Sequence, residues 1–436
     1  MIRFATALFI GAAAALPARA EVDIQTVTSP GGIEAWLVEE HSLPFVAVEI
    51  AFAGGTSLDV AGKRGAVNLM AGLLEEGSGN LDARGFARAK EELATSFGFS
   101  ANSETLTVSA RFLTENFDAS VALLRDAIQT PRFDEGDIQR VRAQVLSGLA
   151  FDAKDPNEIA AKTFASMAYG EHPYGTVDTG TPESVAALTR DDLLEAHSNV
   201  LVRDRVLVGA VGDITPEQLG ALLDAVLGDL PESGPMLPPM VEPQITGGTT
   251  VVEFDTPQAV ALFGQRGIGV GDDDYFAAVL LNQIIGGGSF ESRLMQEVRE
   301  KRGLTYGVYS YLYSRDLANA YMGSVSSAND RIAEAITVIR DQWRLAAEEG
   351  VTPEELDAAK TYLTGAYPLR FDGNSTIAGI LVGMQLIGLE PDYVKTRNDR
   401  VESVTLEDVK RVAGELMDPD ALHFVVVGKP AGVASQ

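Results

Sequence analysis

The sequence predicts an α+β fold built from two homologous α/β sandwich domains. Three observations carry this. Alternating strand patterns are followed by helical patterns within each half of the chain, as when helices pack on one face of a mainly antiparallel sheet. A Pro- and Gly-rich stretch without periodicity, residues 231–248, lies between the halves as a linker. The second half also repeats the first. EGDIQRVRAQVLSG (135–148) echoes PEELDAAKTYLTG (353–365), Thr189-Arg190-Asp191-Asp192-Leu193 echoes Thr405-Leu406-Glu407-Asp408-Val409, and Val211-Gly212 echoes Val427-Gly428. The last two are offset by 216 residues (405 against 189, 427 against 211), a domain-sized duplication and not a solenoid period.

In order, residues 1–20 (MIRFATALFIGAAAALPARA) read as a secretory signal. Arg3 is the positive end, Ala5 to Leu16 the apolar core, and Ala18-Arg19-Ala20 the cleavage site. The apolar run is too short to span a bilayer, and no later segment is apolar enough to do so. The mature chain is therefore expected to begin at Glu21 and to be exported, with the periplasm as its location. Without cysteine, its stability must come from its cores. The formal charge is −28, which argues against nucleic-acid binding and suits solubility.

The N-terminal domain is expected over residues 21–230. Glu34–Glu40 and Phe45–Phe52 read as strands, the second with Val46, Val48, Ile50 and Phe52 on one face. Gly65–Glu76 is apolar nearly all round and reads as a buried helix. Ala83–Phe97 reads as an amphipathic helix with Phe86, Leu93 and Phe97 on its stripe. Thr105–Phe112 alternates as a strand. Helices follow at about 116–129, 134–149, 156–168 and 191–198, then a buried strand at 205–211. The C-terminal domain, 249–436, restarts with a strand at Ala259–Phe263 and a helix at Asp274–Ile285.

The most informative stretch is Gly286 to Ser310, GGGSFESRLMQEVREKRGLTYGVYS. Ser289 is a possible N-cap. Phe290, Leu294 and Val298 then fall on one helical face, Glu297 and Lys301 can pair at i,i+4, and Gly303 sits where a helix ends. From Tyr306 onward the pattern alternates as a strand. A helix–turn–strand reversal can bring Arg299 and Tyr306 toward one point, where they would aim two hydrogen-bond donors at one oxygen. The plainer alternative is a salt-bridged surface Arg and a half-buried strand Tyr.

This stretch resembles the C-terminal domain of the pitrilysin/insulinase metallopeptidases, the inverzincins. In that family an Arg and a Tyr seven residues later contact the substrate carbonyl; Arg299 and Tyr306 have that spacing. The resemblance covers nearly the whole mature chain and implies two homologous domains joined by a linker. It also makes the loop Gly286-Gly287-Gly288 either a place of close backbone packing or a peptide-contacting loop, since a longer glycine-rich loop occurs in the non-catalytic subunit of mitochondrial processing peptidase.

An inverzincin needs H-x-x-E-H on the first long helix, two imidazoles to hold zinc and a Glu to activate water, with a further carboxylate from a later helix. Here Asn68, Ala71 and Gly72 stand at those positions, and Ser147-Gly148 where the later carboxylate should be. No other spacing rebuilds a site. His41, His172, His197 and His423 form no i,i+3 or i,i+4 pair, and His172-Pro173-Tyr174-Gly175 reads as a structural turn. Glu75-Glu76 reads as a solvated helix end.

The resemblance implies a zinc-free subunit of a heterodimeric peptidase. This chain would bind no metal and cleave nothing alone. Arg299 and Tyr306 would hold the peptide substrate in trans while a homologous partner with H-x-x-E-H carries the zinc. The alternative is a non-enzymatic structural or peptide-binding protein of the same fold. Ser100-Ala101-Asn102-Ser103 resembles the strand that pairs with substrate in catalytic chains, but no role is assigned to it here.

Overall fold

A computed structural model describes residues 22–288 and 290–436. The expected signal sequence, Glu21 and the expected Ser289 cap lie outside the described residues. In the first half the strands are β1 (Gln25–Thr28), β2 (Glu34–Glu39), β3 (Phe45–Ala53), a two-residue ribbon β4 (Gly77–Ser78) and β5 (Leu81–Asp82), β6 (Ser96–Ala101), β7 (Thr105–Leu113) and β8 (Val206–Gly212). In the second half they are β9 (Gly248–Glu253), β10 (Gln258–Arg266), β11 (Val308–Ser314), β12 (Asn319–Ala328) and β13 (His423–Gly428).

The sheet orders, β1-β2-β8-β3-β7-β6 and β11-β12-β10-β13-β9, express the duplication. Strands β2, β8, β3, β7 and β6 correspond to β9, β13, β10, β12 and β11. Each sheet has one parallel pair, β2 with β8 and β9 with β13, and is otherwise antiparallel. The repeated sequence motifs do the same work in both halves. Thr189 and Thr405 each close a capping box, with Asp192 and Asp408. Gly212 and Gly428 end equivalent strands at φ 137° and 153°, where a side chain would be strained.

One face of each sheet carries its own domain's helices and main core. The other face is covered by a helix from the opposite half. Helix Pro156–Tyr169 lays Ala160, Phe164 and Ala168 against Val260, Met322, Val425 and Val427 of the second sheet. Helix Asn374–Leu386 lays Ala378, Leu381 and Met384 against Trp36, Ala47 and Val211 of the first. Glycines make both approaches possible. A Cβ on Gly264 would stand 2.7 Å from the Phe164 ring, and one on Gly209 would stand 2.6 Å from the Ala378 carbonyl oxygen. This exchange explains why Ala47 and Ala51 of β3 are as buried as Val46, Val48, Ile50 and Phe52.

The hairpin tips of the two domains also meet. The Arg315 guanidinium lies 3.3 Å from the centre of the Tyr174 ring, with Nε 3.3 Å from Glu104 Oε1, and donates to Ser103 Oγ. Glu104 Oε1 also accepts from the Asp316 amide at 2.9 Å and from the Tyr174 hydroxyl. His172 accepts from the Tyr174 amide at Nδ1 (3.2 Å), and its Nε2 donates to the Pro239 carbonyl (3.1 Å). The His-Pro-Tyr-Gly turn is thus an interdomain anchor. Residues 231–247 form no helix or strand. They are nonetheless pinned, with the Val241 amide on Leu317 O (2.8 Å) and the Gln244 amide on Ala168 O (2.7 Å).

Two helices of the first half end well short of expectation. The helix expected over 83–97 spans Ala83–Glu92; Ala94 takes φ 50°, and Phe97 reaches Phe86 from strand β6 at a centroid distance of 6.4 Å. An apolar residue at a helical interval joined the core from a strand. The helix expected over 65–76 is only Ala66–Ala71, followed by tight turns through Glu76.

Candidate functional site

The position of the missing metal motif is filled by packing. Ala71 is buried, Gly72 caps the helix, and a Cβ on Gly72 would stand 3.2 Å from the Val141 side chain. Ser147 and Gly148 are exposed on helix Glu135–Asp152. None of these residues, nor Asn68, carries an imidazole, thiolate or carboxylate, so they do not fit zinc. Among the described residues no group of three or more His, Cys, Asp or Glu side chains is placed to hold an ion. Glu75 pairs with Lys90, and Glu76 with Arg140 at 2.6 Å.

The N-terminus of this short helix is held by Asp59. Its carboxylate accepts from the Gly65 and Val67 amides, both at 2.8 Å, with Arg64 at 3.3 Å. Burial nonetheless pushes the carboxyl up to about 6. The histidines are engaged separately. His41 bridges Asp213 (2.8 Å) and Glu39 (3.2 Å), which raise its pKa in that order. His197 donates Nε2 to Ile128 O (2.7 Å), and burial lowers its pKa. His423 donates Nδ1 to Gly247 O (2.6 Å) and accepts from Thr250 Oγ1 at Nε2 (2.9 Å).

The stretch expected to carry donors is well defined. Helical structure runs from residue 293, and Met295–Glu300 forms a π-helical turn in which the Lys301 amide bonds back to Gln296 O at 3.0 Å. Leu294 and Val298 enter the core, but Phe290 precedes the helix and is 60% exposed, so the expected three-residue stripe is a two-residue one. Glu297 pairs with Lys301 at 2.5 Å and with Arg302 at 2.6 Å. Gly303 ends the helix at φ 60°.

The side chain of Arg299, in the last π-helical turn, makes no hydrogen bond among the described residues, while its carbonyl accepts from the Gly303 amide at 2.7 Å. Its guanidinium lies 4.5 Å from the Phe290 ring centre, and its Nε is 3.6 Å from Glu300 Oε1. Tyr306 lies between the helix and β11, 88% exposed and without a hydrogen bond among the described residues. No hydrogen bond joins the two side chains; they flank one helix–strand reversal, and neither spends its donors on a hydrogen bond among the described residues. That reversal is rigid. Arg331 donates to Gly303 O and Arg302 O, both at 2.9 Å, Ser327 Oγ to Leu304 O at 2.6 Å, and Thr305 Oγ1 to Ser326 O at 2.7 Å. In β11, Val308 and Ser310 are buried while Tyr309, Tyr311 and Tyr313 form an aromatic row, with neighbouring centroids 6.1 and 6.0 Å apart.

The three glycines differ. A Cβ on Gly286 would stand 2.8 Å from the Ser310 amide nitrogen, and one on Gly287 2.6 Å from Gln283 Oε1. Gly288 is open but needs φ 82°. Sequence reasoning missed Phe290 as a partner of Arg299 and missed the Glu104–Tyr174–Arg315 cluster. The available signals were an aromatic two residues after the glycine run and opposite charges at equivalent hairpin tips.

Residues 36–179 match the family description "Insulinase (Peptidase family M16)", and residues 187–363 match "Peptidase M16 inactive domain". The chain is 27% identical over 391 residues to the non-peptidase homolog YmxG of Helicobacter pylori, with 89% of this chain and 90% of that one covered. It is 28% identical over 397 residues to an uncharacterized zinc protease of Mycobacterium bovis, covering 89% and 90%. Among solved structures, a peptidase M16 inactive domain from Pseudomonas fluorescens matches with a TM-score of 0.87 and 28% identity, over 95% of this chain and 99% of that one. Both domain descriptions of one family match in sequence order, and together they span well over half of a chain whose two-domain fold superposes on a solved relative. The chain therefore belongs to the insulinase (M16) peptidase family, with Asn68, Ala71 and Gly72 where the resemblance puts the H-x-x-E-H motif.

Proposed function

We propose that this chain is the zinc-free subunit of a heterodimeric periplasmic peptidase. Arg299 and Tyr306 hold the carbonyl of a peptide substrate, while a homologous partner bearing H-x-x-E-H carries the metal and the general base. The observation that carries this reading is Tyr306, 88% exposed and without a hydrogen bond among the described residues, on the braced turn that follows the helix of Arg299. A surface Tyr kept for packing would bury its ring. The negative charge that develops on a scissile carbonyl oxygen is stabilised by donors already in place, and such donors also keep the peptide in register. The Gly286–Gly288 loop, adjoining Phe290, is the second proposed peptide contact.

The assembly is tested by co-purification of the native chain from the envelope fraction. Recovery with a homologue bearing H-x-x-E-H supports the proposal; recovery as a lone chain or in a complex without such a homologue contradicts it. Export is tested by N-terminal sequencing, with Glu21 expected as the first residue.

A further inference from the structure

A carboxylate holds a guanidinium by occupying its N–H groups. An aromatic face holds it through the π system and leaves the N–H groups, which lie in the guanidinium plane, free for another acceptor. Arg293 and Arg302, close by in sequence, are held the first way, by Glu355 at 2.7 Å and Glu297 at 2.6 Å. Arg299 is held mainly the second way, 4.5 Å from the Phe290 ring centre; its one carboxylate neighbour, Glu300, stands at 3.6 Å from Nε, beyond hydrogen-bond distance, and its side chain makes no hydrogen bond among the described residues. Phe290 is itself tied to the helix it faces, because its carbonyl accepts from Gln296 Nε2 at 2.7 Å. An apolar ring that is 60% exposed yet tethered in this way has a use outside the core.

We propose that Phe290 is a positioning residue for Arg299. Its ring fixes the plane of the guanidinium and keeps the N–H groups available to a peptide carbonyl. This rests on the reading of Arg299 as a carbonyl donor. In sequence Phe290 lies two residues after Gly288, the last of the three glycines.

The test uses the full chain, alone and paired with the H-x-x-E-H homologue that co-purifies with it. In the chain alone, the Arg299 Nε–H resonance, assigned by its loss in Arg299→Ala, is expected to carry a ring-current shift that disappears in Phe290→Ala and Phe290→Leu. In the pair, Phe290→Ala is expected to lower kcat roughly tenfold with KM within about twofold, the scale of one partly desolvated cation–π contact. Phe290→Trp and Phe290→Tyr should restore the rate, whereas Phe290→Leu, which keeps bulk without a π face, should not. In an Arg299→Ala background the loss of Phe290 should add nothing. Full activity of Phe290→Leu, or additive losses in the double variant, overturns the positioning role even if Arg299→Ala is slow. Normal cutting by Arg299→Ala overturns the donor reading itself, and with it this proposal.

Discussion

Tyr306 and Arg299 stand ready in different ways. The phenol is free in solvent, while the guanidinium is held by a ring and a weak acidic neighbour. Tyr306→Phe therefore removes one hydroxyl and nothing else, whereas Arg299→Ala also removes packing on Phe290. A second residue-scale consequence concerns Asp59, whose folded pKa of about 6 lies above its ordinary 3.8. Between these values the folded chain binds the proton that the unfolded chain has lost. Asp59 thus favours folding fully below about pH 4, and that advantage is lost as pH rises through about 6. Asp59→Asn removes this dependence. The stability of the variant relative to the parent should rise by about 2 kcal/mol between pH 4 and pH 7, measured by urea unfolding at each pH. A constant difference across that range would contradict the assignment.

At the scale of elements, much was readable. The Glu297–Lys301 pair, the Gly303 stop and the alternation of β11 follow from local spacing, and the structure has them. What failed was the assumption that apolar residues at helical intervals share one helix. Phe97 reached the same core from a strand, and Phe290 stayed outside because the helix starts three residues later and then widens into a π-turn. The glycine loop could be read as packing or as contact. Its geometry gives Gly286 a packing reason, since Ser310 of β11 lies against it. Gly286→Ala should therefore cost about 1–3 kcal/mol in chemical unfolding, as overpacking does. A neutral result would mean that β11 yields freely at Ser310.

At the scale of the molecule, the exchanged helices were not legible. The amphipathic pattern of 156–169 says that one face is covered, but not that the cover is a sheet beginning a hundred residues later. The exchange predicts that the domains unfold together. Of the two tryptophans, Trp343 reports the core of the second half, and Trp36 the first sheet where the second half's helix covers it. Single-tryptophan variants should give coincident urea transitions, and Phe164→Ala should lower both by about 3–5 kcal/mol. Separate transitions would show that the exchange does not couple the domains. The absence of zinc ligands leads to another whole-chain expectation. Metal analysis of the purified chain should find no stoichiometric zinc, and the chain alone should cleave no peptide. One tightly held zinc per chain, or chelator-sensitive cleavage, would contradict it.

The central claim is that this chain lends donors to a partner's reaction, and kcat/KM of the reconstituted pair carrying Tyr306→Phe tests it most directly. Assembly of the variant, checked by size-exclusion chromatography, should match the parent, because the lost hydroxyl bonds to nothing in the described chain. The rate should fall about 10²–10³-fold, the usual loss for one donor to a developing oxyanion. A variant that assembles and cuts at the parental rate would leave Tyr306 without a part in the reaction and contradict the account.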